Sequence, residues 1–205
     1  RNVSEAYSDV NEAFGGGLAV QGNNLFVTTG FGTVLALSVL SGEVYWEQDL
    51  TSFGGASPTV VDDLLYVPAR DGAAWAIETS TGRVKWQVIG QSVQSNYTGG
   101  PGVAVSDKYA LFPFGSGDLL AAFRLGGQRS WNSVLSGARL GRARGQVQDL
   151  TGQPVIEGSV VYLANSSGRM AAMDLDTGLR LWTANQGSQE GIFVVGSSLF
   201  TVSDE

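Results

Sequence analysis

The chain contains no histidine and no cysteine, which limits the chemistry that its side chains can perform. It cannot build a Ser-His-Asp or Cys-His nucleophile, and it lacks the usual protein ligands of zinc and haem. Two carboxylates could still act as acid and base. An adjacent pair, Asp62 and Asp63, lies in a predicted hairpin turn, where acidic residues are common. We therefore predict no catalytic residues.

Two further motifs match ligand sites only in part. Asp174 and Asp176 have the spacing that opens a calcium loop, but no Gly or distal Glu follows at the required positions. The run Gly15-Gly16-Gly17 precedes a predicted strand, so it lacks the helix N-terminus that binds phosphate. We therefore predict no metal site and no bound cofactor.

The charge of the chain argues against two classes of partner. Its formal net charge is −7, and its 12 Lys and Arg residues form no run. Nucleic-acid binding requires a basic surface, so we do not expect it. No stretch of about 18 apolar residues occurs, so we predict no transmembrane helix.

A Gly followed four residues later by a Trp occurs four times along the chain. The Trp residues are 40, 45 and 51 positions apart, and an Ala stands six residues before each Gly. Self-similarity at this period is typical of repeat folds. The pairs are Gly42 with Trp46, Gly82 with Trp86, Gly127 with Trp131 and Gly178 with Trp182.

Each copy predicts four short strands joined by Gly-bearing turns, which is the composition of one β-propeller blade. We therefore predict an all-β fold, a propeller of four-stranded antiparallel blades, with residues 1–205 forming one partial propeller of about four and a half blades. Such an incomplete ring would expose blade faces, and we expect it to self-associate or to close through its first 16 residues. The repeats span approximately 17–50, 56–90, 100–137 and 152–187, with a truncated fifth at 191–205.

The four Trp residues have a structural interpretation that requires no ligand. A blade buries both faces against its neighbours, so each interface needs a large apolar side chain from a fixed position. We expect the paired Gly to supply a positive φ in the turn before the last strand. We therefore predict that all four Trp and their Gly partners form the interblade contacts. Trp75, which is out of register with them, is predicted to lie in the core.

The segment from Ala172 to Trp182 resembles the tryptophan-docking motif of quinoprotein-type propellers. Longer segments resemble the BamB family, the propeller lipoproteins of the outer-membrane β-barrel assembly machinery. The resemblance implies a non-enzymatic scaffold on the periplasmic side of the outer membrane, which binds periplasmic domains of the membrane-embedded assembly subunit. It also implies a lipid-anchored parent, whose anchor is absent from this sequence. The segments are Ala13–Val20, Leu25–Leu37, Phe112–Leu119 and Val147–Val155.

The connection between Trp131 and Pro154 is the longest between copies, and long connections on a rigid scaffold often bind partners. It carries Arg139, Arg142, Arg144 and Asp149, which we predict to contact a partner. The resemblance supports Asp149, which matches the first acid of an Asp-x-Asp segment that the family uses for its partner. Thr151 replaces the second acid. A solvated loop without a role remains an alternative.

Two other functions stay open at this point. One is a fragment of a quinoprotein-type dehydrogenase, although those enzymes would imply a vicinal cysteine pair that this chain cannot provide. The other is a sensor or adhesion propeller of a membrane protein.

Overall fold

The computed structural model describes residues 16–50, 56–69, 71–90, 100–135, 150–188 and 191–202. Within these ranges the chain forms strands β1 to β18 and one short 3₁₀ turn, Gly115–Gly117. None of the described segments is a helix with the length and apolar character needed to span a bilayer. The partner residues predicted from the sequence, Arg139, Arg142, Arg144 and Asp149, lie outside the described residues.

The strands form four four-stranded antiparallel sheets and one two-stranded sheet, each in chain order, which we call blades 1 to 5. Blade 1 contains β1 (Leu18–Gln21), β2 (Asn24–Thr28), β3 (Thr33–Ser38) and β4 (Val44–Asp49). Blade 2 contains β5 (Thr59–Val61), β6 (Leu64–Pro68), β7 (Ala73–Glu78) and β8 (Val84–Ile89). Blade 3 contains β9 (Ala104–Val105), β10 (Tyr109–Pro113), β11 (Asp118–Phe123) and β12 (Arg129–Val134). Blade 4 contains β13 (Val155–Glu157), β14 (Val160–Ala164), β15 (Met170–Asp174) and β16 (Arg180–Ala184). Blade 5 contains β17 (Phe193–Val195) and β18 (Ser198–Phe200).

The blades stack face to face, with their first strands along the inner side of the assembly. The first strands of successive blades, β1, β5, β9, β13 and β17, lie next to one another. In blades 2 and 3 the middle strands are covered by neighbouring blades on both faces, so β6 and β10 are buried at every position. The fourth strands lie outermost, and β4 accordingly alternates between half-buried and exposed residues. Core apolar residues therefore concentrate in the second and third strands.

The spacing between Ala and Trp in the repeat follows from the pairing of the third and fourth strands. Ala36 lies opposite Trp46, and a register shift directly after Ala36 marks a β-bulge. The turn before the fourth strand contains Gly42, whose φ of +69° is disfavoured for any residue with a Cβ. The same pairing and shift recur for Ala76 with Trp86, Ala121 with Trp131 and Ala172 with Trp182.

The predicted all-β fold of four-stranded antiparallel propeller blades is confirmed. The hairpin turns between first and second strands have positive φ at Gly22 (+59°) and Gly158 (+58°), as a tight two-residue turn requires. In blade 2 the same position holds Asp62, with a φ of +52°. The predicted turn at Asp62 is thus present, and its aspartate adopts a conformation that blades 1, 4 and 5 give to Gly. Trp75 is 3% exposed and lies in the apolar core between blades 1 and 2.

Candidate functional site

Three of the four indole rings of the repeat, those of Trp46, Trp86 and Trp131, lie between blades, and their N–H groups are bonded to the next blade. Trp46 Nε1 donates to the Thr79 carbonyl oxygen at 2.8 Å. Trp86 Nε1 donates to the Arg124 carbonyl at 3.1 Å, and Trp131 Nε1 donates to the Leu175 carbonyl at 2.9 Å. In each case the acceptor lies in the turn after the third strand of the following blade. These rings therefore join adjacent blades through one specific hydrogen bond each.

The Gly of each following blade allows the ring to lie against the backbone. A Cβ built on Gly82 would come within 2.7 Å of the Trp46 ring, and one on Gly127 within 2.6 Å of Trp86. A Cβ on Gly178 would come within 2.5 Å of the Trp131 ring. These distances are shorter than any real side chain tolerates, so the contact requires glycine.

The outermost members of the series lack this contact among the described residues. No described atom lies within 4 Å of a Cβ built on Gly42. Trp182 is 41% exposed, although its ring still packs beside Tyr162 within its own blade, with the ring centroids 6.1 Å apart. Among the described residues, then, three of the four glycines contact the Trp of the preceding blade. They are Gly82, Gly127 and Gly178.

Two of the four acidic residues considered for catalysis or calcium, Asp62 and Asp176, form ion pairs between blades. Asp62 Oδ2 lies 2.6 Å from Arg124 Nη2, which joins blade 2 to blade 3. Asp176 Oδ1 lies 2.6 Å from Lys108 Nζ, which joins blade 3 to blade 4, and it also accepts from the Tyr109 hydroxyl at 3.0 Å. These two donors hold the pKa of Asp176 below its ordinary value.

A tyrosine reinforces the contact between blades 2 and 3. The Tyr66 hydroxyl donates to the Arg124 carbonyl at 3.3 Å, the same oxygen that accepts from Trp86. Burial raises the pKa of Tyr66 to about 12, so its hydroxyl remains a donor even in alkaline solution near pH 10.

One buried carboxylate was not singled out from the sequence. Asp118, at the start of β11, is 5% exposed and accepts a long hydrogen bond of 3.4 Å from Asn132 Nδ2. Burial raises the pKa of the Asp118 carboxyl. The corresponding positions hold Thr33 in blade 1 and Ala73 in blade 2, so a comparison of the copies could have identified it.

A second residue that was not singled out is Asn165. It lies beside both ends of the connection between blades 3 and 4, Leu135 and Leu150. Its side chain is fully buried and donates to the Leu135 carbonyl at 3.2 Å. After the connection, Gln153 Nε2 donates to the Val103 carbonyl at 2.7 Å. The two ends of the connection are therefore attached to blades 3 and 4 by side chains that the other copies lack.

An open cavity of about 510 Å³ lies on the inner side, between the first strands of blades 3, 4 and 5. Its wall is mainly apolar, and it includes Val155, Ile192 and Phe193. In the described ranges, no three acidic side chains approach closely enough to hold a metal ion.

Comparisons with known proteins identify the family. The family model described as "Outer membrane protein assembly factor BamB" matches residues 2–205. A protein of that name from Shewanella oneidensis is 26% identical over 189 residues, which cover 92% of this chain and 48% of the relative. One from Alteromonas naphthalenivorans is 28% identical over 187 residues, covering 91% of this chain and 45% of the relative. The chain thus spans about half the length of these curated relatives.

Solved structures support the same fold. The crystal structure of BamB from Moraxella catarrhalis matches with a TM-score of 0.76 and 22% identity, over 90% of this chain and 56% of that one. A europium-containing methanol dehydrogenase matches with a TM-score of 0.67 and 13% identity, over 86% of this chain and 42% of that one. At these identities both likenesses concern the fold alone. The resemblance seen in the sequence is confirmed by the family model, and the chain belongs to the family of outer membrane protein assembly factor BamB.

Proposed function

We propose that the chain acts as a non-enzymatic, protein-binding scaffold in the assembly of outer-membrane proteins, on the periplasmic side of the outer membrane. Membership of the BamB family is the observation that carries this proposal, because the matching relatives are named outer membrane protein assembly factors. The proposed partner is the set of periplasmic domains of the membrane-embedded assembly subunit. The proposed parent protein is anchored to the membrane by lipid.

The chemistry of the blade interfaces favours a scaffold. The indole N–H groups of Trp46, Trp86 and Trp131 are bonded to neighbouring blades, and the polar turn residues form ion pairs there. Groups used in this way stiffen the propeller and leave recognition to the connections at its ends. A rigid propeller that presents loops is suited to binding a protein without reacting with it.

The connection between blades 3 and 4 is the proposed contact surface. It carries Arg139, Arg142, Arg144 and Asp149, and three of the 12 basic residues of this acidic chain are concentrated there. Both ends of the connection are buried and attached to the blades, at Leu135 and Leu150. Guanidinium and carboxylate groups on such a loop suit charge-assisted hydrogen bonds to a partner.

Simultaneous replacement of Arg142, Arg144 and Asp149 by Ala tests the proposal. Affinity for the purified periplasmic domains of the assembly subunit is measured by calorimetry, together with circular dichroism of the free chain. We expect affinity to fall at least roughly tenfold, because charged groups at a protein interface are commonly worth that much. The circular dichroism should not change, because these residues lie in a connection.

A matched variant controls for charge. Replacing Glu43, Arg83 and Arg129 by Ala removes the same two positive charges and one negative charge, at or beside turns on the opposite end of the blades. All three side chains are exposed. This variant should bind like the parent. Equal affinity of parent, loop variant and control would refute the proposed contact surface.

A further inference from the structure

The contact between Trp and Gly has the same form at three blade interfaces. Trp46, Trp86 and Trp131 donate to a backbone carbonyl in the same turn of the next blade, at 2.8, 3.1 and 2.9 Å. The ring also lies against a glycine of that turn in each case. Both the carbonyl and the glycine are groups that each of these turns offers. The Trp contact therefore does not by itself specify which blade follows which.

The charged groups at these interfaces, in contrast, differ from one blade to the next. Arg124 Nη2, from the turn between the third and fourth strands of blade 3, lies 2.6 Å from Asp62 Oδ2 in the first hairpin of blade 2. Lys108 Nζ, from the first hairpin of blade 3, lies 2.6 Å from Asp176 Oδ1 in the corresponding turn of blade 4. Blade 3 thus contributes the cation to both ion pairs, and blades 2 and 4 contribute the acids.

The repeat indicates which residues would meet if blade 2 packed directly against blade 4. In blades 1 to 4, the residue after the third strand donates its N–H to the carbonyl of the second residue of the first hairpin. By this bond, Asp63 of blade 2 is equivalent to Lys108 of blade 3. Without blade 3, Asp63 would therefore take the place of Lys108 opposite Asp176, with Asp62 beside it, and three acids would meet. The bonds are Val39 to Asn23, Thr79 to Asp63, Arg124 to Lys108 and Leu175 to Ser159.

Pairing of the wrong units is a characteristic failure of repeat proteins, because their units present similar surfaces. The Asp62, Lys108 and Asp176 side chains are 69%, 56% and 60% exposed, so each ion pair adds little to the stability of the correct fold. Its effect on the choice between folds is larger. The correct neighbours attract and the wrong neighbours repel, so the two contributions add.

We propose that blade 3 is an electrostatic spacer, whose Arg124 and Lys108 specify the order of blades 2, 3 and 4 by separating two acidic edges that repel one another. The inference concerns the assembly of the propeller and does not depend on the proposed function. It has a consequence that a purely stabilising role lacks. The polarity of the ion pairs should matter for folding, in addition to their presence.

Exchanging the charges between blades 3 and 4 tests the proposal. Lys108→Asp combined with Asp176→Lys keeps opposite charges across the correct interface and leaves the net charge unchanged. It also places a Lys where Asp62 and Asp63 of a wrongly paired blade 2 would be attracted. After dilution from urea, we expect the misassembled fraction to be about threefold or more above that of the parent, because the wrong pairing has changed from repulsive to attractive. Size-exclusion chromatography with light scattering measures this fraction, since an expelled blade enlarges the monomer and exchanged blades join two copies.

Lys108→Arg combined with Asp176→Glu is the matched control, because it changes the same two residues and retains their polarity. It should refold like the parent. Equal misassembled fractions in the parent and the charge-exchanged variant would overturn the proposal, and so would an equal increase in the control.

Salt provides a second measurement that requires no substitution. At about 1 M NaCl the screening length falls to roughly 3 Å, so the parent should lose its discrimination and its misassembled fraction should rise towards that of the charge-exchanged variant. If that variant does not fold, the parent alone decides the matter. A parental misassembled fraction that does not respond to salt would refute the spacer role.

Discussion

Replacing Gly178 by Ala should destabilise the chain more than the same change at Gly42. Both residues have a φ of +69° and occupy the same turn of their blades, so both substitutions incur the same backbone cost. A left-handed conformation costs an Ala about 1–2 kcal/mol. The two sites differ in their surroundings. A Cβ at Gly178 meets the Trp131 ring at 2.5 Å, whereas a Cβ at Gly42 meets no described atom within 4 Å.

The additional cost at Gly178 follows from that distance. An ordinary carbon contact lies near 3.5–4.0 Å, so the ring or the turn must move by about 1 Å. Overpacking of this kind typically costs about 1–3 kcal/mol. The same displacement strains the 2.9 Å bond from Trp131 Nε1 to the Leu175 carbonyl. We therefore expect a loss of about 1–2 kcal/mol in Gly42→Ala and of about 2–5 kcal/mol in Gly178→Ala.

Urea unfolding followed by far-ultraviolet circular dichroism measures both losses, since the midpoint and slope together yield the free energy of unfolding. The difference between the two variants isolates the contact between the Trp131 ring and the next blade. Equal losses in Gly42→Ala and Gly178→Ala would refute the argument that glycine is needed there for close approach. The Trp131 ring would then place no steric limit on the residue at position 178.

Two further changes test buried polar groups. Burial raises the pKa of Asp118, so folding favours its protonated form, and its contribution to stability falls as the pH rises from about 4. Asp118→Asn should therefore gain stability relative to the parent between pH 3 and about 7. A constant difference in urea midpoint across this range would contradict the assignment. Thr28→Val should cost about 1–3 kcal/mol, because the buried Thr28 hydroxyl accepts from Gly17 N–H at 2.9 Å and that N–H would lose its side-chain acceptor. The same change at the exposed Thr183 should stay within about 0.5 kcal/mol, and similar losses at both positions would refute the effect of burial.

The blade architecture could be predicted because its main contacts are local in sequence. Within each blade, every strand pairs with the next along the chain, so alternating apolar runs and Gly-bearing turns predict the hairpins directly. The ten-residue spacing from Ala36 to Trp46 corresponds to their cross-strand pairing. The family was recognisable for the same reason, because its sequence motif consists of residues that form these local contacts.

The predicted partner residues Arg139, Arg142, Arg144 and Asp149 remain predictions, because they lie outside the described residues. Asn165 was missed because its importance depends on a carbonyl 30 positions earlier in the chain. The sequence does contain a signal for it, an Asn where blade 2 has Ala69, but no local rule indicates what that side chain would contact.

By itself, the sequence determined the repeat, the four-stranded blades and the Gly and Trp residues that lie at the interfaces between blades. Only the tertiary structure decided which groups meet across the interfaces, such as Asp62 with Arg124 and Lys108 with Asp176. The physical reason is that strand pairing depends on alternation and turns within about 40 residues. Contacts between blades depend on how one rigid sheet is rotated against the next, and that rotation is set by packing around the Trp side chains.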